Sequence, residues 1–195
     1  MALRHRPALV WFAVVLFLHF LATNVYPAIW AYYTSYRYGW SEWEIGISLA
    51  LFGVITAIVQ GGMVGPFIKR FGERMAALIS LAVECIIAVG YGLAGKGWMI
   101  YALLVVGALQ GIALPAINAL MSHRVDEDAQ GELQGAISSL MGISSIFGPV
   151  LASQLFGAFA GQGAAIELPG MPFYVAAALC GLAFLIFLRM PQAEK

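Results

Sequence analysis

The chain has 195 residues, 62% hydrophobic and 10% charged, with ten basic and ten acidic side chains and a mean hydropathy of +0.86. An ordinary soluble domain is about 25% charged, so this composition excludes a soluble globular core and indicates an integral membrane protein. The formal net charge of zero gives no electrostatic reason to expect a nucleic-acid partner.

Crossing the hydrocarbon takes about 20 residues of helix, and six apolar stretches meet that length. In chain order they run from about Ala8 to Tyr33, Ile45 to Phe67, Met75 to Ala94, Trp98 to Met121, Leu133 to Phe159 and Pro172 to Leu188. Backbone groups in lipid must bond within their own segment, and the alternation of a barrel strand is absent, so every span is predicted helical. The first run is too long for the apolar core of a leader and no small-residue cleavage site closes it, so it is expected to be a true span. Residues 1–195 are thus expected to form a single all-α bundle of six transmembrane helices.

Orientation follows from Lys and Arg in the short connections. With the N-terminus inside, the inner segments hold Arg4, Arg6, Lys69, Arg70, Arg74, Arg124, Arg189 and Lys195, and the outer ones hold Arg37 and Lys96. That bias predicts two cytoplasmic termini. Trp30, Trp40, Trp43 and Trp98 fall near the outer boundary, where interfacial aromatics gather.

Small residues mark two helices. Gly46, Ala50, Gly53, Ala57, Gly61 and Gly65 recur along the second span, and Gly131, Gly135, Ser139, Gly142, Ser145 and Gly148 along the fifth. Such stripes let helices approach closely; plain packing explains them equally well. Pro27, Pro115 and Pro149 lie inside spans one, four and five, where each removes a backbone hydrogen bond and can kink its helix. Spans two and five hold equivalent places in the two three-helix halves, a hint of a 3+3 inverted repeat.

Glu84, in SLAVECIIAV, is the one acidic residue deep inside a span. A carboxyl at bilayer depth is costly and is kept for a proton, an ion or a structural partner; proton coupling is the leading role, a structural hydrogen bond the alternative. His19, in the first span, can bind a ligand, relay a proton or bond a backbone carbonyl. Asn24, Gln60, Gln110, Asn118 and Gln154 either line a polar pathway or hold helices together. The stretch GPFIKRFGER, Gly65 to Arg74, reads as a tight connection with Gly65, Lys69, Arg70, Gly72 and Arg74 as a cytoplasmic gate, and the acids of HRVDEDAQGELQG can pair with its cations. Cys85 and Cys180 lie in apolar segments and read as small fillers, with no disulfide expected. There is no phosphate-binding loop, zinc motif or nucleophile elbow, so neither an enzyme nor a resident metal is expected.

These stretches resemble the C-terminal half of major facilitator superfamily drug/H+ antiporters, and among them the tetracycline efflux proteins. Tyr26 to Gly53 is similar to that family's seventh span, its outer loop and the start of the eighth; GPFIKRFGER resembles the second, degenerate copy of its loop motif; GIALPAINALMS resembles its tenth span; and QGELQG with GISSIFGP, ending at Pro149, resembles the start of its eleventh. The resemblance implies one half-bundle of the major facilitator fold. It implies export of a metal–tetracycline chelate in exchange for a proton across the bacterial inner membrane, with no bound cofactor and a divalent cation such as Mg travelling with the drug. The family's acid falls on Glu84 and its glutamine on Gln60. Its histidine falls on Thr56, a departure for which His19 is the candidate substitute. Gly46, Gly53, Gly61, Gly135, Gly148 and Pro149 are the expected packing residues. A full antiporter has twelve spans, so six are expected to need a second bundle, either an N-terminal six-helix half or another copy. The alternatives are a truncated module that only associates with other helices, and a half with a different small-molecule substrate.

Overall fold

The computed structural model describes residues 7–161, 164 and 166–191; Arg4, Arg6 and Lys195, used above for orientation, lie outside them. The chain is all helix in its six spans, and each span is long and apolar enough to cross a membrane. The first is α1 (Pro7–Thr23) with α2 (Val25–Tyr38). The second is α3 (Glu42–Ile58), a π-helical turn (Val59–Met63) and α4 (Val64–Phe71). The third is α5 (Glu73–Leu93). The fourth is α6 (Gly97–Gly107), a 3-10 turn (Ala108–Ile112) and α7 (Ala113–Ser122). The fifth is a short 3-10 turn (Glu127–Ala129) and α8 (Gln130–Phe159), and the sixth is α9 (Met171–Arg189).

The breaks have chemical causes. Pro27 has no N–H and its ring crowds the Thr23 carbonyl, and the first helix breaks at Asn24. The Thr23 hydroxyl bonds the His19 carbonyl at 3.0 Å, and the Asn24 amide bonds the Phe20 carbonyl at 2.8 Å. Side chains thus satisfy freed backbone where water cannot. Pro115 likewise follows the 3-10 turn of span four. Pro66 follows the π turn of span two, a third break that sequence reading left out. Pro149 does not interrupt α8.

Two connections differ from expectation. Span one continues past Tyr33 to Tyr38, because the Thr34 hydroxyl bonds the Trp30 carbonyl at 2.8 Å and Gly39, at φ 66°, ends the helix. GPFIKRFGER is not a loop. It is helical through Phe71, and the chain turns on Gly72 alone, at φ 77° and ψ 158°, a backbone region open essentially to glycine. Gly65 sits inside α4 and makes no turn.

α5 and α9 pack lengthwise, with α1 against α9 and α8, α2 against α8, and α5 against α7. Spans two and five are peripheral: 11% and 22% of their most apolar windows are buried, against 56% in span three. One end of the bundle brings together the start of α1 and the end of α9, where Phe12 meets Phe187 edge-on. The Arg74 guanidinium donates there to the carbonyls of Leu188 at 3.0 Å and Met190 at 2.7 Å. The described chain therefore starts and ends on one face. At the other end, Trp43 and Trp98 are exposed, but Trp30 and Trp40 are buried. Trp30 donates to the Ser48 hydroxyl at 2.9 Å, and Trp40 packs on Tyr101, so these two are core residues and not interfacial anchors.

Candidate functional site

Span three carries one side chain that apolar neighbours cannot satisfy. Leu81 belongs to the apolar layer at the end where α1 begins, and Ile87 to the layer at the other end. Glu84 lies between them, 0% exposed. α5 turns its carboxyl toward α1, where His19, also buried, sets Nδ1 2.7 Å from Oε2. An unpaired charge at bilayer depth costs about 3 kcal/mol or more. The pair avoids an unpartnered group in either protonation state, because the carboxylate accepts from Nδ1–H and the carboxylic acid donates to a bare Nδ1. The other oxygen, Oε1, has no hydrogen-bond partner among the described residues.

Beside this pair is a cavity of about 360 Å³. Spans one to four wall it. His19, Thr23, Tyr26, Pro27 and Trp30 come from span one, Ser48, Leu49, Phe52, Thr56 and Gln60 from span two, Tyr91 from span three, and Leu104, Ala108, Gln110 and Gly111 from span four. Its lower wall is where the two irregular turns meet: a methyl group on Gly111 would stand 3.4 Å from the Gln60 amide nitrogen. Its aromatic wall is interlocked, with Trp30 and Tyr26 edge-on to Tyr91 at 5.4 and 5.8 Å. Three polar atoms of the lining are shielded from solvent and bond nothing in the described protein: the Tyr26 hydroxyl, the Thr56 hydroxyl and Gln110 Oε1. Buried polar atoms without protein partners call for water or a ligand.

Of the five cavity candidates, His19, Gln60 and Gln110 line this space. Asn24 and Asn118 do not. Asn24 bonds its own helix and lies against α8, where a methyl on Gly148 would come within 2.5 Å of its Cβ. Asn118 accepts from the Gln134 amide at 2.9 Å, tying span four to span five. Of the packing candidates, only Gly148 meets another helix in this way. Gly46, Gly53, Gly61 and Gly135 face open space, as does Gly65, so these glycines of the two stripes do not pack inside the bundle. In the charged connection Lys69 and Arg70 are exposed, Arg74 is held by the end of α9, and Glu73 lies 3.4 Å from His123 Nδ1. Cys85 and Cys180 are free thiols, and Gln154 is exposed on α8.

Residues 12–195 match the Major Facilitator Superfamily. The chain belongs to that superfamily. Similar curated proteins are the class C tetracycline resistance protein of Escherichia coli, 37% identical over 146 residues, and the class G protein of Vibrio anguillarum, 38% identical over 147 residues; each alignment covers 75% of this chain and 37% of the relative. The class B protein of Escherichia coli is 28% identical over 185 residues, 93% of this chain and 45% of the relative. The chain therefore spans less than half the length of these relatives. In this major facilitator chain, Thr56 lines the cavity one turn before Gln60, and His19 reaches the same space from span one. Sequence reading missed Tyr26, Trp30, Ser48, Phe52 and Tyr91. Tyr26 was the most findable: a hydroxyl beside Pro27 inside an apolar run needs a partner or water.

Proposed function

We propose that this chain is one six-helix half of a proton-coupled drug exporter of tetracycline type, moving a metal–tetracycline chelate outward against an inward proton. The divalent cation, Mg for example, is cargo travelling with the drug. The observation that carries this reading is the His19–Glu84 pair, buried at mid-bundle and abutting a cavity in whose lining Tyr26, Thr56 and Gln110 each hold a polar atom without a protein partner. A group that binds and releases a proton next to a ligand space is what exchange requires. The names of the relatives support a tetracycline-like drug, and the likeness supports a bacterial inner-membrane location with both termini cytoplasmic.

Exchange by alternating access needs something for this bundle to rock against. The open faces of spans two and five support a second bundle there, either an N-terminal six-helix half or a second copy. The test is export by the chain co-expressed with an N-terminal half from a relative. Glu84→Gln, which keeps size but holds no exchangeable acid, is expected to abolish proton-driven drug uptake into everted vesicles, the readout of export there, while leaving assembly intact. Uptake at the unmodified rate would remove the proposal. Assembly of the unmodified halves without any efflux would favour the reading as an associating module.

A further inference from the structure

Glu84 has no direct opening to the cavity. It is fully buried and absent from the lining, whereas His19, its hydrogen-bond partner, is part of that lining. The imidazole stands between the ligand space and the acid. Nδ1 is taken by the carboxyl, and Nε2, at the opposite corner of the ring, makes no hydrogen bond to the described protein. Tyr26 from α2, Cys85 from α5 and Cys180 from α9 are titratable groups that feel the Glu84 charge, and Tyr91 stands edge-on to Tyr26. The cavity, about 360 Å³ and lined in part by Thr23, Ser48 and Gln60 beside His19, has the room and the polar partners to hold water.

We propose that His19 is the proton conduit of Glu84, and that water held in the cavity is what loads it. This rests on the proton-coupled reading above. A hydronium in the cavity forms a new N–H bond at Nε2, leaving water behind. The Nδ1–H bond then breaks and its proton passes to Oε2 across the 2.7 Å contact. Glu84 becomes the neutral acid, and the ring is left neutral with its proton on Nε2. Release runs the same two transfers backwards, which returns the proton to Nδ1. No rotation of the ring is needed, because loading and unloading share one path and differ only in which side of the membrane the cavity faces.

The test reads the access of Glu84 to solvent protons directly, in the full chain in lipid nanodiscs. The carboxylic C=O band of Glu84 is assigned by its loss in Glu84→Gln. Its shift after rapid mixing with D2O is then timed by infrared spectroscopy, at a pH acidic enough for the band to be present. His19→Leu fills the ring's place with an apolar group. His19→Gln keeps an amide N–H for Oε2 but has no nitrogen that takes up a proton. Both are expected to slow deuteration by about a hundredfold, the low end of what a positioned acid–base group contributes. His19→Gln is expected to do so with its unfolding temperature unchanged, which a merely structural role would not give. If His19→Leu does not fold, His19→Gln alone carries the test. Deuteration in His19→Gln as fast as in the unmodified chain would overturn the conduit. The exchange reading fails separately, if Glu84→Gln still drives efflux, whatever the infrared result.

Discussion

Glu84 and His19 are each too costly to stand alone in lipid. One is the acid deep in a span, the other the histidine within one, so residue type and depth disclose that both need partners. That they partner each other was not legible, because 65 residues separate them and helix rotation decides which faces meet. The glycines of the charged connection were misread together for a related reason. Composition alone cannot separate a glycine that turns the chain from one that rides in a helix. Gly72, at φ 77° and ψ 158°, requires glycine. Gly72→Ala is expected to cost about 1–3 kcal/mol, the usual strain of a side chain in such a region. Gly65→Ala has open space and helical backbone and is expected to be neutral or to gain up to about 1 kcal/mol. Thermal unfolding of both variants in detergent checks the pair, and equal losses would return Gly65 to the turn.

The six spans were legible because hydropathy over about 20 residues is the strongest signal a membrane sequence carries. Their ends and breaks were less so. Span two starts earlier than expected because Ser41 and Glu44 form a reciprocal cap: the Ser41 backbone N–H donates to the Glu44 carboxyl at 2.8 Å, and the Ser41 hydroxyl accepts from the Glu44 N–H. That Ser-x-x-Glu spacing is readable in sequence. The π turn at Val59–Met63 is not, since it depends on how the chain before Pro66 settles against the 3-10 turn of span four. Helix packing shows the same limit. The stripe of α8 looks uniform in sequence, yet only part of it is in contact. Gly148 meets Asn24, whereas Gly142 meets nothing within 4 Å. Gly148→Ala is therefore expected to push α8 from the break in span one and lose about 1–3 kcal/mol, as overpacking does. Gly142→Ala is expected to leave stability unchanged or slightly raised. Denaturant unfolding separates them, and a loss at both positions would mean that α8 packs differently.

The unburied faces of spans two and five set the limits of the bundle. Gly46, Gly53 and Gly61 on one, and Gly131, Gly135 and Gly142 on the other, have open space where a side chain would go. The serines of the α8 stripe bond their own helix: Ser139 donates to the Gly135 carbonyl at 2.8 Å and Ser145 to that of Gly142 at 2.7 Å. A face smoothed in this way contributes nothing to the stability of the chain alone, so a large side chain there does not disturb the bundle from within. It would disturb only a helix brought close from outside. Gly53→Leu and Gly135→Leu together are expected to leave the unfolding of the isolated chain within about 0.5 kcal/mol of the original, as surface changes do. In cells carrying an N-terminal six-helix half, the same double variant is expected to lower both copurification of the two halves and drug resistance. Lipid facing these stripes would accept leucine readily. Copurification and resistance undiminished by the two leucines would therefore place lipid there, and the second bundle would have to seat elsewhere.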